Sequence, residues 1–137
     1  MMRRSRAREV ALQLLFQRDL NPGMERADIE RFATDRLRDP VLVGFCLGLY
    51  DGVVANLEAI DARLASVSEN WRLPRMAVVD RNVLRLGAYE ILFQAETPDA
   101  VAINECIELA RRYGSKDSPA FVNGILDPLR SSTNPPA

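Results

Sequence analysis

Ala7, Val10, Ala11, Leu14 and Leu15 fall at i, i+3, i+4, i+7 and i+8. On a 3.6-residue period these positions share one side of a helix, so the spacing predicts a first helix over about 6–18 with that stripe facing a core. Asn21-Pro22-Gly23 ends it. Asp28 to Arg36 predicts a short charged helix with Ile29, Phe32 and Ala33 inward. Asp39-Pro40 marks the next break, because a proline disfavours helical backbone in the residue before it. From Val41 to about Asn56 the chain is almost continuously apolar, which predicts a central core helix. Gly44, Gly48 and Gly52 recur along it every fourth residue, which permits close approach by a neighbouring helix. Leu57 to Leu64 carries the helical pattern on, Ser66 to Leu73 turns the chain, and Pro74 suits the first position of the following helix.

Met76, Val79, Val83 and Leu86 form another stripe, with Arg81 and Arg85 one turn apart on the other side. Thr97-Pro98 offers an N-cap and first position for a helix over 101–113, and Gly114 a stop. Ser118-Pro119 repeats the start signal, after which Phe121, Val122, Ile125 and Leu126 face inward. The tail Ser131 to Ala137, rich in Ser and Pro, is expected to fray. No run of alternating β-branched and aromatic residues is bracketed by hairpin turns, and no internal repeat or linker divides the chain. The expected fold class is all-α. The length of 137 residues fits a single domain over 1–137.

Overall composition narrows the chemistry. With 47% hydrophobic and 27% charged residues the chain is of ordinary globular type. Its apolar stretches are broken by charge before the roughly 20 residues of a membrane span, so no membrane association and a cytoplasmic location are expected. Cys46 and Cys106 sit in apolar helical patterns without Cys-x-x-Cys spacing and read as buried small hydrophobes. There is no histidine, which removes the commonest general base and metal ligand at neutral pH. Glu105 and Glu108 share a helix face, but Arg111 and Arg112 lie within ion-pairing reach, so a solvated salt-bridge face is the reading. With no nucleophile–base pair and no glycine-rich phosphate loop, no catalysis, metal or cofactor is expected. A binding surface is.

Three features could supply one. Although the net charge is −1, Arg3, Arg4, Arg6 and Arg8 cluster with Glu9 as the only nearby acid. Guanidinium groups pair with phosphates and stack on bases, so a flexible arm of this kind suits single-stranded RNA; a basic terminus that binds nothing is the plainer alternative. Leu12 and Phe16 leave the first helix opposite its stripe. That helix is either sandwiched within its own fold, or Phe16 anchors a protein partner. Finally, a helix beginning at Ser118-Pro119 aims free backbone N–H groups and the positive end of its dipole outward, a site for a phosphate, and Lys116 adds a cation. Phe121 in its first turn either stacks a base or fills the core.

The segments RSRAREVALQLLFQRD, AVVDRNVLRLGAYEIL and PDAVAINECIELARRYGSKDSPAFVNGILD, taken in order, resemble the bacterial transcription antitermination factor NusB family over nearly the whole chain. The resemblance implies an all-helical fold of about seven helices in two small packed bundles. It implies binding of the boxA element of ribosomal RNA leader transcripts, jointly with the ribosomal protein NusE, so that the RNA polymerase elongation complex reads through terminators. No reaction is catalysed and no cofactor is used. The family's arginine-rich start falls on Arg3, Arg4, Arg6 and Arg8, assigned to RNA. Its RNA-facing hinge falls on Asp117 and Phe121, flanked by Lys116 and Ser118. Phe16 and Asp80 match positions that contact NusE.

Two departures stand out: Cys106 occupies a position usually small in the family, and Phe16 lacks a phenolic hydroxyl seen in some relatives. Some members pair as homodimers that would cover the RNA site, which leaves a homodimer open. Two alternatives remain. A similar domain opens a ribosomal RNA cytosine methyltransferase, but these 137 residues hold no cofactor fold or catalytic region after it. A protein-only helical adaptor would keep Phe16 and Asp80 and give the arginines no task. The RNA reading requires the arginine-rich end and the helix tip near residue 118 to meet in space on one strand.

Overall fold

The stripe of the first helix is wholly inside. In the computed structural model, which describes residues 3–68 and 76–133, Ala7, Val10, Ala11 and Leu14 have no exposed surface and Leu15 almost none. Among the described residues there are seven helices and no strand: α1 (Arg3–Leu20), α2 (Arg26–Leu37), α3 (Pro40–Ala55), α4 (Leu57–Val67), α5 (Val78–Phe93), α6 (Asp99–Tyr113) and α7 (Ser118–Thr133). They divide into two compact units, residues 1–55 and 56–137, matching the two bundles that the resemblance implied.

In the first unit α1, α2 and α3 pack on one another. α1 begins at Arg3, so the arginine cluster is helix and not an arm. Leu12 is completely buried together with the opposite stripe, and a helix covered on both faces is apolar on both. α2 buries Ile29, Ala33 and Leu37. It closes when the Arg38 N–H donates to Thr34 O, and Arg38 then takes φ 64°, with Asp39 N–H donating to Leu37 O at 2.7 Å. This is a tight γ-turn with positive φ, a strained form for a residue with a Cβ. It delivers Asp39 to the start of α3, where its Oδ1 accepts the Val41 N–H at 2.9 Å. Arg26 ties α2 to α3 through two hydrogen bonds to Asp51, 2.6 and 2.9 Å, which favour its charged form.

α3 departs from the expected core helix. Cys46, Leu49, Tyr50 and Val53 are buried, but Val41 is 74% exposed. Among the described residues a Cβ added at Gly44 or Gly48 would meet nothing within 4 Å, so the close approach these glycines permit is not made there. Small residues permit close packing without compelling it. Burial, with a smaller contribution from the Asp51 charge, pushes the Cys46 thiol up to about 12, which leaves it inert at neutral pH.

The chain breaks at Asn56, and α4 opens the second unit, where α5, α6 and α7 pack mutually and α4 lies on α5 and α7. Val83 and Leu86 of the predicted stripe are fully buried; Met76 and Val79 are partly covered. Arg85 donates to both carboxylate oxygens of Asp61, at 3.0 and 2.8 Å, and so joins α5 to α4. Gly87 lets three helices close up, since a Cβ there would lie 2.7 Å from Leu126 Cδ1 and 2.8 Å from Cys106 Sγ. α6 is capped by Pro98, not Thr97, and starts at Asp99 with no side-chain cap. Asn123 and Gly124 lie on the exposed side of α7 and make no turn. α7 runs through Ser131 to Thr133, where fraying was expected. Residues 134–137 and the expected turn at 69–73 with Pro74 lie outside the described residues.

Candidate nucleic-acid interface

In the first unit the arginines occupy the opening turns of α1, and each of the four is held by a named group. Arg3 pairs with Asp39. Arg6 pairs with Glu9 at 2.8 Å, an i,i+3 pair whose carboxylate is largely buried. Arg4 and Arg8, one turn apart, both lie over the Phe45 ring from α3, at 4.7 and 5.2 Å from its centroid. Arg3, Arg4 and Arg6 are exposed, whereas Arg8 is 3% exposed. Arg8 is thus the member of the expected set whose guanidinium is enclosed by the fold. Beside the cluster, Arg3, Arg4, Asp39, Val41 and Leu42 line an open cleft of about 320 Å³. Its lining is of mixed character, with two guanidinium groups, one carboxylate and two apolar side chains. Phe16 lies near the other end of α1, half-buried, one turn beyond the buried Leu12.

In the second unit the stretch between α6 and α7 is drawn tight. Gly114 N–H donates to Ala110 O at 2.8 Å, closing α6. Its φ of −95° is open to any residue; what requires glycine is space, because a Cβ would sit 2.5 Å from Ser118 Oγ and 2.7 Å from Ala110 O. Ser118 is 2% exposed, and its hydroxyl accepts the Ser115 N–H at 3.0 Å. Ser118 therefore works inside the turn, not at its surface. Its own N–H donates to Ser115 O, and Pro119 has none to offer, so the tip of α7 presents fewer free donors than the sequence suggested. Lys116 and Asp117 stand exposed on the turn, and Phe121, whose N–H donates to Asp117 O, is partly covered in the first helical turn. Asp80 sits in the first turn of α5, where the helix dipole favours a carboxylate. Its Oδ1 is buried with no hydrogen-bond partner among the described residues.

The groups that hold the arginines were not anticipated. Arg6 and Glu9 are legible as an i,i+3 pair, but Asp39 and Phe45 reach α1 only through the packing of α3, which no local pattern announces. Among the described residues no cluster of His, Cys, Asp and Glu could hold a metal ion, and no single helix is long and apolar enough to cross a membrane. What the exposed groups can do is attract and orient an anion.

Comparison with known proteins gives matches along nearly the whole chain. A protein named transcription antitermination protein NusB from Desulfitobacterium hafniense (strain DSM 10664 / DCB-2) is 44% identical over 135 residues, covering 97% of this chain and 91% of its own. Its namesake from Sorangium cellulosum (strain So ce56) is 45% identical over 124 residues, covering 90% and 89%. The structure of T. maritima NusB superposes with a TM-score of 0.84 at 37% identity, covering 96% of this chain and 93% of that one. The sequence profile of the NusB family matches residues 5–130, which take in all or nearly all of every helix just described. By profile, by identity over its length and by fold, the chain belongs to the NusB family.

Proposed function

We propose that this chain is a transcription antitermination factor that binds boxA-type RNA of ribosomal RNA leaders together with NusE and promotes read-through by the RNA polymerase elongation complex in the cytoplasm. It acts by binding and catalyses no reaction. The observation that carries this reading is agreement over nearly the full chain with proteins named for antitermination. The exposed Arg3, Arg4 and Arg6 on α1 support it, as a compact cationic surface on a chain whose net charge is −1. Lys116, Asp117 and Phe121 on the α6–α7 turn are the second set of RNA contacts. Arg8 and Ser118, being enclosed, serve by supporting their neighbours. Phe16, a half-buried ring on α1, and Asp80, a carboxylate in the first turn of α5, are the contacts to NusE.

The test is a titration of boxA-type single-stranded RNA, with and without NusE, at several salt concentrations. Changing Arg3, Arg4 and Arg6 together to Ala should weaken binding and flatten the dependence of log affinity on log salt by about 2, at roughly 0.7 for each single-strand phosphate that the variant leaves unneutralised. Unchanged affinity and slope would leave a protein-only adaptor as the better reading.

A further inference from the structure

The groups that hold the arginines of α1 are of two kinds. Arg3 and Arg6 are matched to carboxylates, Asp39 and Glu9, so an incoming phosphate must share or displace an existing counter-ion. Arg4 lies over an aromatic ring instead, and among the described residues no carboxylate pairs with it. Its 4.7 Å from the Phe45 centroid is well inside the roughly 6 Å over which a cation is drawn to a ring face. Such an arrangement restrains a guanidinium by attraction to the ring without cancelling its charge, and leaves N–H groups to bond a phosphate. Arg8 shares the ring at 5.2 Å but is enclosed, so of the two stacked cations Arg4 is the one that solvent, and hence a ligand, can reach.

We infer that Phe45 is a positioning residue for nucleic-acid binding, holding Arg4 as a fixed, uncompensated cation for an RNA phosphate. This rests on the RNA reading above and adds to it a ranking among the arginines and a role for a residue on another helix.

The experiment uses the full chain with NusE and boxA-type single-stranded RNA. Phe45→Leu keeps an apolar side chain but removes the ring face, and should bind about threefold to tenfold more weakly, the scale of a cation–π attraction. Phe45→Trp keeps a ring face and should restore binding to within about twofold, on the same grounds. Arg4→Ala should cost more affinity than Arg3→Ala. In the Arg4→Ala chain, Phe45→Leu should cost nothing further. The Arg4 side-chain Nε–H resonance should show a ring-current shift in the free protein that Phe45→Leu removes, which checks the contact itself; the double variant separates positioning from packing.

An equal loss from Phe45→Leu with and without Arg4 would show the ring acting through packing and overturn the proposal. So would equal losses for Arg3→Ala and Arg4→Ala, a comparison that stands even if Phe45→Leu fails to fold. Weakened binding by the triple arginine variant with none from Phe45→Leu overturns this inference alone. Failure of the unaltered chain to bind RNA overturns the antitermination reading, and this one with it.

Discussion

Gly114 shows how one residue can set the course of a turn. Any side chain there would press on Ser118 Oγ and on the Ala110 carbonyl, and the second of these is backbone that cannot swing aside. Gly114→Ala should therefore destabilise the protein by about 2 kcal/mol, in the range of overpacked sites, with a lower urea midpoint and an unchanged slope. Because the strain falls on Ser118, the same variant should also lose RNA affinity if the α6–α7 turn touches the RNA. The proposed NusE contact can be tested at this scale too. Phe16 is half-buried, so Phe16→Ala should keep the helical circular dichroism signal while weakening NusE binding at least about tenfold, as truncating an aromatic anchor does. Retained NusE affinity would place the ring in the protein's own packing.

At the scale of elements, the periodicity of apolar residues was sufficient for the helices and insufficient for their partners. Ala7, Val10, Ala11, Leu14 and Leu15 are buried because a 3.6-residue repeat puts them on one side whatever they meet. For α3 the repeat of Gly44 and Gly48 permits a close approach that, among the described residues, is not made at those two positions. The N-cap of α6 shifted by one residue, the usual latitude of helix ends. Arg85 was legible as a polar-side residue, but not its bond to Asp61, because that depends on how α4 lies on α5. Both side chains are largely covered, so Arg85→Met should leave the carboxylate without its donor and cost about 2 kcal/mol. Thermal or urea unfolding measures it, and a loss below a few tenths would mean that solvent satisfies Asp61.

For the whole molecule, the motifs carried the family and the physical chemistry of single residues did not. A net charge of −1, two buried thiols and no histidine do not say what the chain binds. The order of the matching segments along the chain is what points to antitermination. Of the candidate interface, the sequence made the types of residue legible, but not which were accessible. Arg8 and Ser118 carry the right chemistry and are enclosed, Arg8 against Phe45 of another helix and Ser118 within its own turn against Ser115.

Because α1 is already wound at Arg3, the cations at its start arrive at an encounter with their spacing decided. A flexible tail would have to freeze when it met RNA, losing roughly 1–2 kcal/mol of backbone freedom per residue at that moment. Here that entropy was surrendered when the protein folded. Recognition by this end of the molecule should accordingly leave its helix content unchanged, and far-ultraviolet circular dichroism of the protein with and without RNA would reveal any coil that winds up on binding.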